Sequence, residues 1–450
     1  MKRTKDTSNQ ILEGAIWKQL LLFFFPILLG TFFQQFYNTI DMIIVGRFVG
    51  TQALASVGGS AGQIINLVVG FFTGLSAGAG VIISQQYGAG NQKMLNDGIH
   101  TAYALCIVGG ILFTILGVVL SPQILYLMKT PEDVLQSSTL YLRIYFFGIL
   151  FVFIYNIGSG ILRALGDSKR PLYFLIICCV LNVILDLVMV VIFRMGVAGV
   201  ALATLIAQAV SAILVTLSLM KSDDIYRLEL RKIRFNGWLL KSQLFLGIPG
   251  GIQSVMYSLS NVIIQTAINS YGINATAAWA AESKIDALFW MINGAFGVSI
   301  TTFVGQNFGA GKKDRIKKGI RVCLFMHQAV SLLITCILIG FRGTLFGIFT
   351  SDAEVVRIGS EMLMGIAPFF LVFSFIEIYS SSLRAMGDVV KPMFITMFGV
   401  CLLRVFWTLV IVPLRPSILM IVMNYPVTWC VTAVMFLIYF GKMKKKLLRE

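Results

Sequence analysis

The sequence QQYGAG at residues 85–90 returns as QNFGAG at residues 306–311. A second motif, LRALGD at residues 162–167, returns as LRAMGD at residues 383–388. In both pairs the second copy follows the first by the same 221 residues. Two independent motifs at one spacing argue against chance similarity and indicate an internal duplication. The sequence therefore predicts two halves that are built alike.

The composition places both halves in a membrane. The 450-residue chain is 57% hydrophobic and only 12% charged, whereas soluble domains are about 45–50% apolar and about 25% charged. Its mean hydropathy is +0.86. Apolar runs of about twenty residues or more, long enough to cross a hydrocarbon core of ~30 Å, recur along the whole length. A soluble multidomain protein is therefore excluded.

The apolar runs form twelve segments, six in each half. Because each repeat has an even number of spans, both halves insert with the same orientation, and a pseudo-two-fold axis along the membrane normal should relate them. We therefore expect an all-α integral membrane protein with twelve transmembrane helices in two pseudo-symmetric six-helix bundles. The segments cover residues 17–46, 53–82, 99–121, 134–161, 172–194, 197–220, 244–271, 275–304, 320–341, 355–382, 393–414 and 417–440.

The formal charge of +16 indicates orientation rather than nucleic-acid binding. Of the 36 Lys and Arg residues, 27 lie at the termini or in alternate connections, with clusters in 221–243 and 312–321. The positive-inside rule makes these connections and both termini cytoplasmic, in the cell inner or plasma membrane. We expect an N-lobe at 1–220, a cytoplasmic linker at 221–243 and a C-lobe at 244–450 that ends in a basic tail.

Charged groups inside a membrane are informative, because each costs several kcal/mol unless it is partnered or hydrated. Asp41 lies in the outer half of the first helix, and Asp186 lies eight residues before the outer end of the fifth. Asn182 shares the face of Asp186 one turn earlier. Thr204 lies at a similar depth on the sixth helix. The sequence predicts a cation-binding site at these four residues.

Carboxylate, amide and hydroxyl oxygens suit Na⁺, and two neighbouring carboxylates could equally share protons. The alternative is that Asn182 and Asp186 only hydrogen-bond nearby backbone and lock the helices together. Pro26, fifteen residues before Asp41, removes one backbone hydrogen bond and permits a bend. Pro249 is its near match in the second half. We therefore expect a hinge at each proline.

The polar residues of the first helix that precede Asp41, and the acids of the second half, are candidates for a substrate cavity. The alternatives are plain helix–helix contacts for the first group, and pairing of the acids with Lys284 or Arg404 for the second. The two halves are not equipped alike, because Leu403 and Trp407 stand where the repeat places Asn182 and Asp186. Asn156 joins them because the 221-residue offset aligns it with Glu377. The cavity candidates are Gln34, Tyr37, Asn38, Asn156, Glu282, Asp286 and Glu377.

The sequence contains no motif for enzyme chemistry or nucleotide binding. The two Gly-Ala-Gly turns lack the Lys-Ser/Thr of a phosphate-binding loop, and the glycines at 70, 74, 78 and 80 favour close helix packing. No zinc-ligand spacing or nucleophile–base set occurs. We therefore expect a protein that is not an enzyme, has no cofactor and no metal apart from possible Na⁺, and draws on an ion gradient.

These features together resemble the multidrug and toxic compound extrusion (MATE) family over essentially the whole chain. The likeness is carried by Pro26, by YNTID at 37–41, by Val-Gly at 45–46 and by both repeated turns. The set Asp41, Asn182, Asp186 and Thr204 is similar to the amino-lobe cation site of the DinF-like branch. The NorM branch has acids in helices 7 and 10, and helix 7 here has none.

The resemblance implies alternating-access antiport of H⁺ or Na⁺ against amphipathic, often cationic organic molecules by a monomer in the lipid bilayer. Two alternatives remain open. A lipid-linked saccharide flippase of the same superfamily would be expected to have about fourteen helices and an Arg-rich cavity. A channel would need no hinges paired by the repeat.

Overall fold

The computed structural model describes residues 10–222 and 226–447. All regular structure in that part of the chain is helical, which confirms the all-α prediction. The long helices are labelled α1 to α12 in chain order. They are Ile16–Val49, Thr51–Gly88, Gln92–Leu127, Glu132–Phe147 with Ile149–Ala164 (α4), Lys169–Ile192, Gly196–Met220, Gly237–Asn269, Ile273–Gly309, Lys313–Gly340, Ala353–Ala385, Val390–Leu414 and Ile418–Met443.

Ten of these helices are long and apolar enough to cross a membrane. The two pieces of α4, bent by 46° where they meet, would form an eleventh span among the described residues. Helix α7 is not in this group, because polar side chains such as Gln253, Ser260 and Asn261 interrupt its apolar run. The count of twelve spans stays a prediction.

Three helices begin well before the apolar segments that predicted them. Helices α3, α7 and α9 start at Gln92, Gly237 and Lys313, where the apolar segments start at 99, 244 and 320. Their first two turns carry polar and basic residues, so hydropathy excludes them although the backbone is already helical. The last residues of the predicted linker, 237–243, therefore belong to α7.

The two repeated motifs are helix-ending turns. Gly166 and Gly387 have φ of +102° and +93°, a left-handed conformation that favours glycine. The N–H of Asp167 donates to the carbonyl oxygen five residues earlier at 2.8 Å, and the second copy has the same bond at 3.0 Å. This is the Schellman pattern of a helix C-terminus. In the other motif Gly90 and Gly311 both have φ of +68°.

The internal contacts of the chain divide it into two compact units. Phe25–Gly251 forms the first unit, and Met1–Phe24 with Ile252–Glu450 forms the second. Helices α1 and α7 therefore each belong to both units, and each changes unit within two residues of its proline, Pro26 or Pro249. The boundaries differ from the predicted lobe limits at 220 and 244, because the start of each of these helices packs with the other half of the sequence.

In the first unit α2 crosses the start of α7 through glycines. A Cβ added to Gly78 would lie 2.3 Å from the backbone nitrogen of Gly247, and one added to Gly74 would lie 2.3 Å from that of Gly251. The backbones are thus in contact, as small residues at intervals of four permit. Glycines 74 and 78 of the predicted packing face form this crossing.

Aromatic side chains fill the core of the second unit. The rings of Phe289 and Phe370 stack with centroids 3.8 Å apart, and Phe373 packs edge-on against Trp429 at 5.2 Å. Trp429 is fully buried. These side chains belong to α8, α10 and α12, and the candidate acids of the second half lie on α8 and α10.

Candidate ion-coupling site

The four predicted cation-site residues are all buried in the first unit. Asp186 is 0% exposed and Asp41 is 8% exposed, and Asn182 and Thr204 are buried as well. Asp41 lies on α1, Asn182 and Asp186 lie on α5, and Thr204 lies on α6. Helix α5 packs closely along α6. A charged carboxylate in such a place needs a counter-ion, a proton or hydrogen-bond donors.

Asp41 and Asp186 are brought together. Their side chains are within hydrogen-bond contact of each other. Yet Oδ1 of Asp41 and both carboxylate oxygens of Asp186 have no donor among the described residues. Two ionised carboxylates only accept hydrogen bonds, so the contact between them becomes a bond only when one carries a proton. The geometry therefore suits one shared proton or a cation between the two groups.

Asn182 adds a neutral oxygen one turn from Asp186, and Thr204 is buried on α6, which packs along α5. The amide nitrogen and the amide oxygen of the Asn182 side chain both lack a hydrogen-bond partner among the described residues. Asn182 is buried and lies one turn before Asp186 on the same face of α5. The Thr204 hydroxyl donates to the carbonyl oxygen of Val200 at 3.0 Å. Its oxygen lone pairs remain able to accept or to bind a cation.

The backbone changes its winding beside both acids. Helix α5 passes from α-helix to π-helix directly after Asp186, over Leu187–Ile192. Helix α1 does the same four residues after Asp41, over Val45–Val49. A π-helical turn shifts the hydrogen-bond register, and such turns are frequent at functional sites. The sequence carried no signal for them.

Two tyrosines, Tyr141 of α4 and Tyr37 of α1, also lie near the acid pair. Tyr141 is close enough to interact electrostatically with both Asp41 and Asp186. Its ring lies 6.5 Å from that of Tyr145, one turn later. Tyr37 is buried and interacts with Asp41. Sequence reasoning missed Tyr141 and Tyr145, because a tyrosine pair one turn apart in an apolar helix is ordinary.

The other cavity candidates of the first unit differ in exposure. Gln34 and Asn38 are exposed. The Asn38 amide lies 3.5 Å from the side-chain oxygen of Gln35. Asn156 on α4 is half-buried and donates to the carbonyl oxygen of Val152 at 2.9 Å, so its amide is already engaged within its own helix.

Glu282 and Asp286 lie in the second unit at a break in α8. The helix is divided into Ile273–Ile285 and Ala287–Gly309, with Asp286 between them. Asp286 accepts a hydrogen bond from the Trp290 indole at 2.9 Å. Glu282 is 1% exposed, and its Oε1 has no partner among the described residues.

Glu377 on α10 lies in a polar network. It accepts from the Asn293 amide at 3.2 Å and the Ser381 hydroxyl at 2.9 Å, and Arg384 lies 4.0 Å away. Its carboxylate packs directly on Gly297, where a Cβ would approach it to 2.1 Å. These contacts hold Glu377 in place.

Lys284 and Arg404 do not pair with the α8 acids. Lys284 is exposed. Arg404 is buried, donates to the Asn261 side chain at 3.0 Å and lies 4.3 Å over the ring of Tyr425. In the described part of the chain, neither basic group is within 4.0 Å of Glu282 or Asp286.

The second unit has no copy of the Asp41–Asp186 pair among its described residues. Leu403 and Trp407 occupy the equivalent positions of α11, and the Trp407 indole donates to the carbonyl oxygen of Met420 at 2.8 Å. No group of three or more His, Cys, Asp or Glu side chains that could hold a metal occurs within 10–222 and 226–447. The acid pair is thus confined to one unit.

Comparison with known proteins gives the family. The model of the MatE family matches residues 26–188 and again 249–410, one match in each half. The chain is 31% identical to the probable multidrug resistance protein YpnP of Bacillus subtilis, over 87% of each chain. It is 30% identical to the probable multidrug resistance protein YoeA of the same organism, over 86% of this chain and 85% of YoeA.

Among solved structures, the fold is similar to that of a multidrug resistance MATE family transporter of the MOP superfamily in an outward-facing conformation. The TM-score is 0.90 at 20% sequence identity, and the match covers 97% of this chain and 98% of the other. At this level of identity the likeness concerns the fold alone. The predicted all-α membrane fold is confirmed.

Proposed function

The chain belongs to the MatE family, and we propose that it exports amphipathic, often cationic organic molecules in exchange for H⁺ or Na⁺ by alternating access. The relatives are named multidrug resistance proteins, and members of the family are transporters rather than enzymes. We place the protein in the cell inner or plasma membrane with both termini cytoplasmic, as a monomer of the DinF-like branch.

The observation that carries the proposal is the buried carboxyl pair without donors. Three of its four carboxylate oxygens have no donor among the described residues. Two bare charges so close together repel each other and lack hydration, so the pair is stable only when it holds a proton or a cation. Binding and release of that ion then change the charge of the site, which is what an exchanger requires.

Exchange follows from competition for the same negative charge. The loaded pair has one charge fewer, so a cationic substrate is held less strongly when the ion is bound, and by linkage the substrate weakens ion binding equally. The membrane potential drives inward movement of one H⁺ or Na⁺ by about 2.3 kcal/mol per 100 mV. In the first unit the substrate would contact the candidates Gln34, Tyr37, Asn38 and Asn156. In the second unit it would contact Glu282, Asp286 and Glu377.

Helix α1 connects the ion site to the rest of the molecule. Asp41 lies on the part of α1 in the first unit, and the helix passes into the second unit at Phe24–Phe25, beside Pro26. Pro26 cannot donate a backbone hydrogen bond, so α1 bends there at low cost. Pro249 serves α7 in the same way. Loading of the pair would thus act on the angle of α1.

Replacing either hinge proline with alanine should slow transport. Pro26→Ala restores an N–H that can bond the carbonyl oxygen four residues earlier, which stiffens α1, and we expect efflux to fall by about tenfold, with a smaller fall for Pro249→Ala. Pro122→Ala is the matched control, because Pro122 also lies inside a helix but far from a unit boundary. Initial rates of dye efflux at equal protein content measure the effect. Equal rates in all three variants would contradict the hinge.

The proposed function is tested by dye efflux from proteoliposomes. A pH gradient and a Na⁺ gradient are imposed separately, each with the membrane potential clamped. We expect at least one of them to drive accumulation of a cationic dye against its gradient. Dye movement that is independent of both gradients would contradict antiport, and ion currents without dye movement would favour a channel.

A further inference from the structure

The segment that precedes α1 is held by two basic side chains at the start of α9, Arg315 in its first turn and Lys312 directly before it. The Arg315 guanidinium donates to the carbonyl oxygen of Ile11 through Nε at 3.1 Å and through Nη2 at 2.9 Å, and Nη2 also donates to that of Gly14. The Lys312 ammonium donates to the carbonyl oxygen of Leu12 at 3.0 Å. Hydrogen bonds from charged donors are stronger than neutral ones. We name residues 10–14 the α1 anchor.

The first part of α1 is also packed into the second unit. Leu20, Phe23 and Phe24 are buried, and the Phe24 ring lies 4.4 Å from that of Phe296 on α8. Immediately past the unit boundary Phe25 is 54% exposed. The start of α1 is therefore fixed by its backbone and by its apolar side chains up to the residue where the hinge begins.

The segment that precedes α7 is held by side chains of α3. His100 accepts the Glu229 N–H through Nε2 at 3.1 Å, and Thr101 accepts the Asn236 N–H through its hydroxyl at 3.2 Å. Further along, the Gln243 side chain donates to the carbonyl oxygen of Gly98 at 2.9 Å. We name residues 226–236 the α7 anchor.

The two anchors are held by helices that are equivalent under the internal repeat. Helices α3 and α9 occupy the same place in the two halves, since their first residues, Gln92 and Lys313, are 221 positions apart. Each of them holds the segment before the helix that starts the other half. The contacts themselves differ. Basic side chains donate to the carbonyl oxygens of residues 11, 12 and 14 in one case, and a histidine and a threonine accept from the N–H groups of residues 229 and 236 in the other.

We propose that Arg315 is a positioning residue for transport, because it holds the start of α1 in the second unit while the ion-binding end of α1 belongs to the first. This inference rests on the proposed function. With the start of α1 fixed, a change at Asp41 has to be absorbed at Pro26 and reaches the second unit. Without Arg315 only the apolar contacts of Leu20, Phe23 and Phe24 hold the start, so more of the change moves the whole helix and less of it reaches the second unit.

The experiment compares Arg315→Gln with Arg315→Lys and Lys318→Gln in the full-length protein. Gln removes the charge and three of the five N–H donors, and Lys restores a charged donor. Lys318, one turn later on α9, is exposed and is the control for loss of a positive charge. A further variant, Lys312→Gln, removes only the bond to Leu12 and keeps the test valid if Arg315→Gln is poorly folded.

Three quantities are measured: amide hydrogen exchange over residues 10–24, dye efflux, and the number of ions moved per dye. For Arg315→Gln we expect exchange to accelerate about tenfold in this segment and ions to leak without dye. Arg315→Lys should recover most of the coupling, Lys312→Gln should show a smaller loss, and Lys318→Gln should match the wild type. A purely structural role would lower the amount of active protein but leave the ion-to-dye ratio unchanged.

Wild-type efflux and ion-to-dye ratio in Arg315→Gln, with faster exchange in the anchor, would overturn this inference and leave the proposed function standing. Efflux by Asp41→Asn that equals wild-type efflux would overturn the proposed function and this inference with it. An unchanged ratio with lower efflux in both Arg315 variants would also overturn the positioning role.

Discussion

Replacing Asp41 with asparagine is expected to abolish ion-driven efflux while leaving the protein folded. The amide keeps the shape of the carboxyl group but cannot take up or release a proton, and it binds Na⁺ more weakly. It can donate a permanent hydrogen bond to Asp186, as the protonated acid would. The site is then fixed in its loaded form. Efflux under the driving gradient should fall at least about 100-fold, because an exchanger that cannot unload its ion cannot complete a cycle.

Stability should move in the opposite direction. With asparagine at position 41 the pair no longer needs a bound proton or cation to offset its repulsion, so the thermal midpoint of Asp41→Asn at neutral pH should equal or exceed that of the wild type. The thermal midpoint of Asp186→Asn should likewise equal or exceed that of the wild type. The double variant should have a thermal midpoint no lower than that of either single variant, since the two acids act as a unit. Asp314→Asn, which removes an exposed ion-paired carboxylate, is the control. Full efflux in Asp41→Asn would refute the coupling role.

Gly78→Ala is the second substitution with a large expected effect. The new methyl group would lie 2.3 Å from the backbone nitrogen of Gly247 and 2.8 Å from the carbonyl carbon of Leu246. Backbone atoms cannot move aside as a side-chain end can, so α2 and α7 must separate. We expect the free energy of unfolding to fall by roughly 2 kcal/mol or more. Efflux should fall as well, because the start of α7 loses its close contact with α2.

Gly80→Ala on the same helix is the matched control. Its Cβ would meet only the carbonyl oxygen of Gly160 at 3.8 Å, an ordinary contact. Alanine favours a helix over glycine by up to about 1 kcal/mol, so this variant should be as stable as the wild type or more so. Unfolding in a denaturing-detergent titration distinguishes the two variants. Equal stability of Gly78→Ala and Gly80→Ala would contradict the crossing.

The repeat made the architecture predictable from the sequence. Both motifs end a helix with a glycine in the left-handed conformation, so the same residue pattern occurs in both halves of the sequence. Hydropathy located the membrane helices but not their polar first turns, as at Lys313. The change of α1 and α7 between units could not be read from the sequence, because it depends on contacts between distant residues. Ile11 and Arg315 are 304 positions apart, and His100 and Glu229 are 129 positions apart.

Residue type and depth in the helices predicted that Asp41 and Asp186 lie at one level of the membrane. Carboxylates are rare and costly in apolar helices, so the two residues were conspicuous. The same reasoning did not find Tyr141, since a tyrosine has no such cost. It also did not distinguish Glu377, which has three polar neighbours, from Glu282, which has an oxygen without a partner. Depth and residue type are local properties, whereas hydrogen-bond partners come from other helices.

Counting the ions released when substrate binds tests the central claim most directly. Purified protein in weakly buffered detergent solution is titrated with a cationic dye, while released H⁺ is followed by a pH indicator and released Na⁺ by a radioactive tracer. We predict that the wild type releases H⁺ or Na⁺ as dye binds, and that Asp41→Asn and Asp186→Asn release neither. Undiminished release from both variants, or dye binding to the wild type without release of either ion, would contradict the claim that this carboxyl pair exchanges its ion for substrate.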